Sequence, residues 1–242
     1  MPLQKWLLIP DCHVPYQDKR AYALMLKAAK QAGIKKAVIL GDYADFYAIS
    51  AHSKNPQAVD LQWEVDEVNK RLDELATQFD EVVFIEGNHE DRLQRYLRDK
   101  APELFGMFSV SKLFKLRERG WRHVQYKHST KIGKLHLTHD CDKAGKHAHH
   151  DALAAFQGNV VIGHTHRIGY AVEGNAKGKP HVGAMLGWLG DVEQVDYMHR
   201  VRVKRDWAHG FGVAYVEPDG CVHVTPVPIV NGKVVVEGRL VK

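Results

Sequence analysis

Five short clusters of residues that can bind metal ions occur along this chain. They are Asp11-Cys12-His13, Gly41-Asp42-Tyr43-Ala44-Asp45, Gly87-Asn88-His89-Glu90, Thr138-His139-Asp140 and Gly163-His164-Thr165-His166. Imidazoles and carboxylates form a ligand set that suits borderline divalent metals such as manganese, iron, zinc or cobalt. Two such metals about 3.5 to 4 Å apart can generate hydroxide near neutral pH and clamp the oxygens of a phosphoryl group. Together the clusters predict a two-metal hydrolytic centre.

A run of aliphatic or β-branched residues stands beside every cluster, and each run predicts a β-strand. The runs cover residues 6–9, 37–40, 82–85, 135–137 and 159–162. Each cluster therefore lies just past the carboxyl end of a strand. Ligands and catalytic groups collect at that edge of open α/β sheets. Five separate stretches of sequence are thus expected to converge on one crevice.

The remaining segments predict how the strands are covered. Asp18 is expected to cap a helix that ends at Gly33, and apolar residues at helical spacing predict a second helix between residues 61 and 79. Short strands joined by turns are expected at residues 168–172, 181–185, 211–216, 222–227 and 233–236. This C-terminal third is predicted to be antiparallel. The fold class predicted is α/β (α+β), a four-layer αββα sandwich with two mixed β-sheets packed face to face and helices outside.

Length and charge distribution indicate one domain with a basic surface. The 242 residues, 45% of them hydrophobic, are expected to form a single domain over residues 1–242. Pro102 and Gly106 interrupt a helical pattern, which predicts a basic helical cap insertion at about residues 91–120. The formal net charge is +5, and residues 92–134 form a locally positive segment with twelve lysines or arginines against three acidic residues. Such a surface tolerates anionic partners.

Cysteine usage and hydropathy suggest the cellular compartment. The three cysteines cannot all pair with one another and form no C-x-x-C motif, as is typical of a reducing cytoplasm. No apolar stretch approaches the length of a membrane span. The sequence therefore predicts a cytoplasmic protein with no membrane partner, and it carries no signal for the oligomeric state.

The order of motifs D-x-H, G-D-x-x-D, G-N-H-E, a strand-end histidine and G-H-x-H resembles the calcineurin-like metallophosphoesterase superfamily over about residues 5–170. The ligands that the resemblance implies are Asp11, His13 and His166 for one metal and Asn88, His139 and His164 for the other, with Asp42 bridging. It also implies that His89 protonates the leaving oxygen while Asp45 orients the imidazole of His89. The implied cofactors are two divalent ions, with manganese favoured and iron, zinc, cobalt or nickel as alternatives.

Each cluster taken alone has a purely structural explanation. Gly41-Asp42 after a strand is typical of an ordinary turn. His139 is equally well explained as a buried histidine with satisfied hydrogen bonds. His164 and His166, two residues apart, can line one face of an exposed strand. Five strand-end clusters in the order of one family favour the metal site over these separate explanations.

Two positions depart from the family pattern. Members that act on phosphoproteins carry an arginine directly after the last aspartate of the second cluster, where this chain has Phe46. Arg92 is the candidate substrate contact in its place, although an arginine at a helix start often pairs with a neighbouring carboxylate instead. In many relatives a glycine stands beside the histidine of the fourth cluster, so His136 is considered as a substitute donor for His139.

Further residues near the clusters have less direct assignments. His147, His149 and His150 follow the fourth cluster and could contact substrate or relay protons, but an exposed helical face explains them as well. Cys12 and Cys141 adjoin candidate ligands and are expected to be buried filling residues. Glu90 is expected to organise its loop.

The predicted activity is hydrolysis of phosphomono- or phosphodiesters by a metal-bridging hydroxide, with a histidine as general acid. The expected partner is a phosphoester substrate, a small molecule or nucleotide, with residues 92–120 as a lid over the cleft. One alternative is a nuclease-like phosphodiesterase whose basic segments, including residues 199–205, follow a nucleic acid backbone. An alternative of another class is a non-catalytic metal-binding interaction module.

Overall fold

Two β-sheets form the centre of this computed structural model, which describes residues 3–52, 60–174, 178–194 and 206–242. In those ranges the strands are β1 (Gln4–Ile9), β2 (Lys36–Ile39), β3 (Glu81–Ile85), β4 (Arg122–Val124), β5 (Thr130–Ile132), β6 (Leu135–Thr138), β7 (Val160–Ile162), β8 (Ile168–Gly174), β9 (Pro180–Leu186), β10 (Gly210–Val216), β11 (Val222–Pro228), β12 (Val234–Val236) and β13 (Arg239–Val241). The helices are α1 (Lys19–Gln31), α2 (Leu61–Gln78), α3 (Asp91–Lys100), α4 (Val110–Leu113) and α5 (Ala148–Phe156).

Both large sheets mix parallel and antiparallel pairs. The first sheet has the strand order β11-β10-β1-β2-β3-β4, in which β1 to β4 are parallel and β10 and β11 join as antiparallel strands. The second has the order β5-β6-β7-β9-β8, with β6, β7 and β9 parallel. The parallel strands β1 to β3 and β6 to β7 carry the loops with the metal-binding clusters. Strands β12 and β13 form a separate antiparallel pair.

Alternation along the strands produces four layers. In β1, Leu7 and Ile9 pack in a core that includes the apolar faces of α1 and α2, whereas Trp6 and Leu8 pack in a core shared by the two sheets. A third cluster joins α5 to the other face of the second sheet. Successive side chains of a strand point to opposite faces, so each sheet contributes side chains to two hydrophobic cores. This arrangement confirms the predicted αββα sandwich.

Most predicted elements are present, with two differences. Asp18 caps α1, as predicted, by accepting hydrogen bonds from the backbone nitrogens of Arg20 and Ala21. The short strands β4, β5 and β13 were not predicted, because each has a lysine or arginine among its three residues that interrupts the apolar pattern. The prediction of an antiparallel C-terminal third is wrong for β9, which pairs with β7 in parallel and with β8 antiparallel. The chain around Pro102 and Gly106 is helical on both sides, in α3 and α4.

Candidate metal centre

The five clusters occupy the loops that follow β1, β2, β3, β6 and β7. Four of their residues other than glycine have a left-handed backbone, with φ of 53° at His13, 48° at Asp42, 65° at His164 and 57° at His166. Few residues other than glycine adopt positive φ, and those that do are common at functional sites, where the surrounding structure holds them. The four residues therefore adopt a less favourable backbone conformation, and this conformation brings their side chains together.

The Glu90 carboxylate holds two of these loops together, in agreement with its predicted role. It accepts hydrogen bonds from the backbone nitrogens of Gly87, Asp42 and Ala44, at 2.7, 2.9 and 2.8 Å. The loops also approach closely at Gly87, where a Cβ atom would lie 2.2 Å from a carboxylate oxygen of Asp42. Glycine at this position is thus a steric requirement for placing the Asp42 side chain.

The first set of donors, here named the enclosed donor group, consists of Asp11, His13, Asp42 and His166. Each residue offers one ligand atom, these atoms lie within 4.8 Å of one another, and all four residues are buried. His13 Nδ1 donates to Asp45 Oδ2 at 3.0 Å, and His13 Nε2 lies 3.1 Å from His166 Nε2. Two imidazole nitrogens at that separation need a proton or a cation between them. The group therefore fits a metal ion.

The second set, named the open donor group, consists of Asn88, Asp42, His139 and His164. Ligand atoms of Asp42, His139 and His164 lie within 4.8 Å of one another, and Asn88 Oδ1 is 3.1 Å from His139 Nε2. His139 Nδ1 donates to the Leu40 carbonyl at 2.8 Å, so His139 Nε2 faces the oxygens of Asn88 and Asp42. A proton or a cation is again required at that nitrogen, which fits a metal ion.

Proton binding differs sharply between the histidines of the two groups. Burial lowers the pKa of His166 to about 4, an effect that the nearby Asp11 carboxylate only partly offsets. Burial opposes the charge of His139 as well, but the Asp42 and Asp11 carboxylates raise its pKa to about 10. For His13, burial is outweighed by the Asp45 carboxylate, and the pKa is raised. Without metal, protons thus occupy positions where a cation would satisfy the same carboxylates.

His89 lies beside the enclosed donor group, with its ring 4.5 Å from that of His13. His89 Nδ1 donates to the Asp45 carbonyl at 2.9 Å, while Asp45 Oδ2 is 3.4 Å from that nitrogen and closer to His13. Arg92 donates to His89 Nε2 at 3.0 Å and to the Asp45 carbonyl at 2.8 Å. Burial and the Arg92 charge lower the pKa of His89 despite Asp42. Asp45 therefore contacts His89 mainly through its backbone, and its carboxylate pairs with His13.

Several residues considered at the sequence level lie outside both donor groups. His136 packs its ring against Phe156 at 5.0 Å, on the other face of β6 from His139. His150 pairs with Glu173 at 2.7 Å, and His147 and His149 accompany it at the start of α5. Phe46 is buried and stacks on Phe114 at 5.6 Å.

Burial differs between the two cysteines that adjoin candidate ligands. Cys12 is fully buried, whereas Cys141 is only half-buried. Cys12 thus agrees with the filling role expected for it. The basic run at residues 199–205 lies outside the described residues.

Two tryptophans adjoin the enclosed donor group without having been predicted. Trp188 is buried and stacks on His166 with ring centroids 4.8 Å apart, and Trp207 meets the same ring edge-on at 4.3 Å. Trp188 follows strand β9 at Gly187, so it occupies a strand end like the five clusters. Its position after a strand could have indicated a place at the site. The sequence motifs point to metal ligands, however, and an aromatic side chain is not one.

Comparison with known proteins connects this geometry to a family. A family model described as calcineurin-like phosphoesterase matches residues 5–170. Two proteins named Gene 54 protein, from Mycobacterium phage L5 and Mycobacterium phage D29, are each 25% identical over 267 residues, covering 97% of this chain and 97% of the phage protein. The agreement with these relatives extends over nearly the whole chain.

Two solved structures match this chain at low sequence identity, and the first of them is similar in fold. Vacuolar Protein Sorting 29 from Cryptosporidium parvum has a TM-score of 0.50 and 14% identity, covering 99% of this chain and 95% of that one. Yfce, a phosphoesterase from E. coli, has a TM-score of 0.42 and 16% identity, covering 92% of this chain and 98% of that one. Among the described residues, no helix is long and apolar enough to cross a membrane.

Proposed function

This chain belongs to the calcineurin-like phosphoesterase family, and on that premise we propose that it is a metal-dependent hydrolase of phosphomono- or phosphodiesters. The observation that carries the proposal is that Asp42 belongs to both donor groups. One carboxylate shared by two sets of imidazoles supports a pair of neighbouring cations. The proposed ligands are Asp11, His13 and His166 for one ion, Asn88, His139 and His164 for the other, and Asp42 for both.

The donor chemistry supports manganese, with iron, zinc, cobalt and nickel as alternatives, because imidazole and carboxylate ligands suit all of these ions. When bound, the two cations supply activation of water and neutralise charge on the phosphoryl oxygens. The protein side chains then have three tasks: to hold the phosphoester, to orient its leaving oxygen and to deliver a proton.

His89 is the proposed general acid. Water attacks phosphorus, the bond from phosphorus to the leaving oxygen breaks, and His89 Nε2 gives its proton to that oxygen. The Asp45 carbonyl accepts from His89 Nδ1 and thereby directs Nε2 away from the loop. Arg92 donates to Nε2 in this structure, so it must release that nitrogen before His89 can carry the acidic proton. Arg92 is then available to contact an oxygen of the substrate.

We favour small phosphoesters over nucleic acid because part of the basic segment is engaged in ion pairs. Arg119 pairs with Asp73 at 2.6 Å, and Lys127 pairs with Asp140 at 2.8 Å. Cations engaged in such pairs contribute less to binding a polynucleotide backbone. We also propose that residues 1–242 form one domain in which residues 91–120 serve as a helical cap beside the centre.

The proposal is tested with protein stripped by a chelator and reloaded with manganese. Hydrolysis of a chromogenic phosphomonoester is compared with that of the matching phosphodiester, and metal content is measured on the same samples. Metal-dependent hydrolysis of either ester is expected. Absence of turnover on both esters at two manganese ions per chain would contradict an enzymatic role and favour a non-catalytic module. A steep fall of oligonucleotide binding with rising salt would instead favour the nuclease-like alternative.

A further inference from the structure

A polar cavity of about 420 Å³ opens directly beside the proposed general acid. Asn88, Arg92, Arg95 and Lys100 line it, and Arg92 also contacts His89 Nε2 at 3.0 Å. Residues 49–52 also contribute to the lining. Its volume falls in the range that accommodates a small organic ligand. The cavity therefore extends the proposed centre on the side of His89, where a leaving group would lie.

Helix α3 gives this cavity its charge pattern. Arg92, Arg95, Tyr96 and Asp99 recur at a spacing of three or four residues, which brings them to one face of the helix. At a rise of about 1.5 Å per residue, the stretch from Arg92 to Lys100 spans about 12 Å. The lining holds three cations and the single carboxylate of Asp99, while Asp45 and Asp91 pair with Arg92 and Arg95 from outside it. An anion that enters the cavity thus meets a lining with an excess of positive groups.

The guanidinium of Arg95 is held in place for such an anion. Arg95 Nε pairs with Asp91 at 3.0 Å, and Arg95 Nη2 donates to the Asn88 carbonyl at 2.8 Å. Among the described residues no partner contacts its Nη1, and half of the side chain is exposed. Holding two nitrogens of the planar group lowers the entropy lost when the third binds a ligand. Arg95 is therefore oriented toward the cavity without being neutralised inside it.

We propose that this cavity binds a second phosphate carried by the leaving group, so that the substrate is a phosphoester with two separate phosphates, such as a nucleoside bisphosphate. This inference rests on the proposed function, because the second phosphate is defined relative to the one that reacts. Arg95 is the specificity-determining residue, and Lys100 adds a further positive charge to the lining. Arginine suits a phosphate because its fork of donors matches two phosphate oxygens.

The test compares two substrates that differ by one phosphate, using the full chain loaded with manganese. The ratio of kcat/KM for adenosine 3′,5′-bisphosphate to kcat/KM for adenosine 5′-monophosphate is measured. We expect a ratio of about ten or more, which corresponds to one charge-assisted contact. Arg95→Gln should bring this ratio close to one. Arg98→Gln is the matched control, because Arg98 lies on the same helix, packs over the Phe105 ring at 5.9 Å and does not line the cavity.

Two results would overturn the inference. One is equal kcat/KM for both nucleotides in the unaltered protein. The other is an equal loss on both nucleotides in Arg95→Gln, which would mean that Arg95 only positions Asn88. If neither nucleotide is hydrolysed, calorimetric binding to the manganese-loaded protein decides. A tenfold binding preference that is lost in Arg95→Gln would retain the cavity, and equal affinities would overturn it. The enzymatic role is decided separately, by the comparison of the chromogenic phosphomonoester with the phosphodiester.

Discussion

The two donor groups share Asp42 but differ in how far the protein encloses them. Asp11, His13 and His166 are all buried, and Trp188 and Trp207 pack against His166. In the open donor group Asn88 and His164 are only half-buried. One side of the centre therefore lies in the protein interior, while the other side faces the cavity beside α3. Exchange of metal and entry of substrate are accordingly expected at the open side.

Hydrogen bonding between the loops explains why the groups still form one unit. The backbone nitrogen of His164, in the open donor group, donates to both carboxylate oxygens of Asp11 in the enclosed group, at 2.9 and 3.1 Å. The backbone nitrogen of His89 donates to Asp42 Oδ1 at 2.8 Å. The open donor group therefore helps to orient a carboxylate of the enclosed group, and the loop of His89 orients the shared carboxylate of Asp42. A change at Asp42 should affect both groups.

The largest effect is expected from Asp42→Ala, which removes the residue common to both groups. Metal content should fall from two ions to one or none per chain, and hydrolysis should be lost, because the remaining imidazoles lack the shared carboxylate. Elemental analysis after reloading measures the metal content. Asp142→Ala, at a largely exposed carboxylate outside both groups, is the control and should keep two ions. Two ions retained in Asp42→Ala would mean that another residue links the sites.

His89→Ala should separate proton delivery from metal binding. Neither donor group contains His89, so both ions should remain, while turnover falls by about two to four orders of magnitude, as expected for loss of a general acid. The loss should be smaller for an ester whose leaving group needs no proton, such as a nitrophenyl ester. Metal content and turnover are measured on the same preparation. Loss of an ion in this variant would contradict the role assigned to His89.

The pH dependence of metal binding should be measurable at the open donor group. Because the metal-free pKa of His139 is about 10, a metal must displace a proton there at neutral pH. In the enclosed group the pKa of His13 is raised, whereas His166 with a pKa of about 4 is already neutral. The affinity of the second ion should therefore fall as pH is lowered, by up to about tenfold per pH unit. Competition with a chelator between pH 6 and 9 measures it. A pH-independent affinity would show that His139 does not bind metal.

Stability of the metal-free protein should show the opposite slope. The folded pKa of His139 lies above its ordinary value of 6.5, so the protonated ring stabilises the fold fully below pH 6.5 and this contribution disappears as pH rises toward 10. We expect a loss on the order of 1 to 3 kcal/mol in the free energy of unfolding. Denaturant unfolding with chelator present measures it, and His139→Gln should lack this particular loss. An identical pH profile in both proteins would argue against the charged state of His139.

The smallest effect should appear in the tryptophan fluorescence. Manganese in the enclosed donor group would lie near Trp188 and Trp207, which pack on His166, and should quench their emission. A chelator should remove the ion of the open donor group first, so fluorescence should recover only in a later phase. Trp207→Phe reduces the signal and identifies its source, and Trp121→Phe, which alters a tryptophan absent from the contacts of His166, is the control. A single phase in both readouts would mean that the groups release metal together.

Sequence patterns predicted the strands that carry the clusters but not the contacts between their side chains. Apolar runs identified β1, β2, β3, β6 and β7, and therefore which loops carry the clusters. The pairing of Asp45 with His13 and the contact of Arg92 with His89 could not be predicted. Asp45 Oδ2 lies 3.0 Å from His13 Nδ1 and 3.4 Å from His89 Nδ1, and only the folded loop geometry distinguishes these two partners. The same holds for the contact of Arg92 with His89.

By itself, the sequence determined the residue types at each strand end and the chemistry that those types allow. Tertiary structure alone decided that the Asp45 carboxylate pairs with His13, that Trp188 packs on His166 and that α3 lines a cavity beside the centre. The physical reason is the separation along the chain of the residues that interact. Strand and loop formation depends on neighbouring residues, whereas contacts such as that between Asp11 and His164 join residues 153 positions apart and exist only once both sheets have packed.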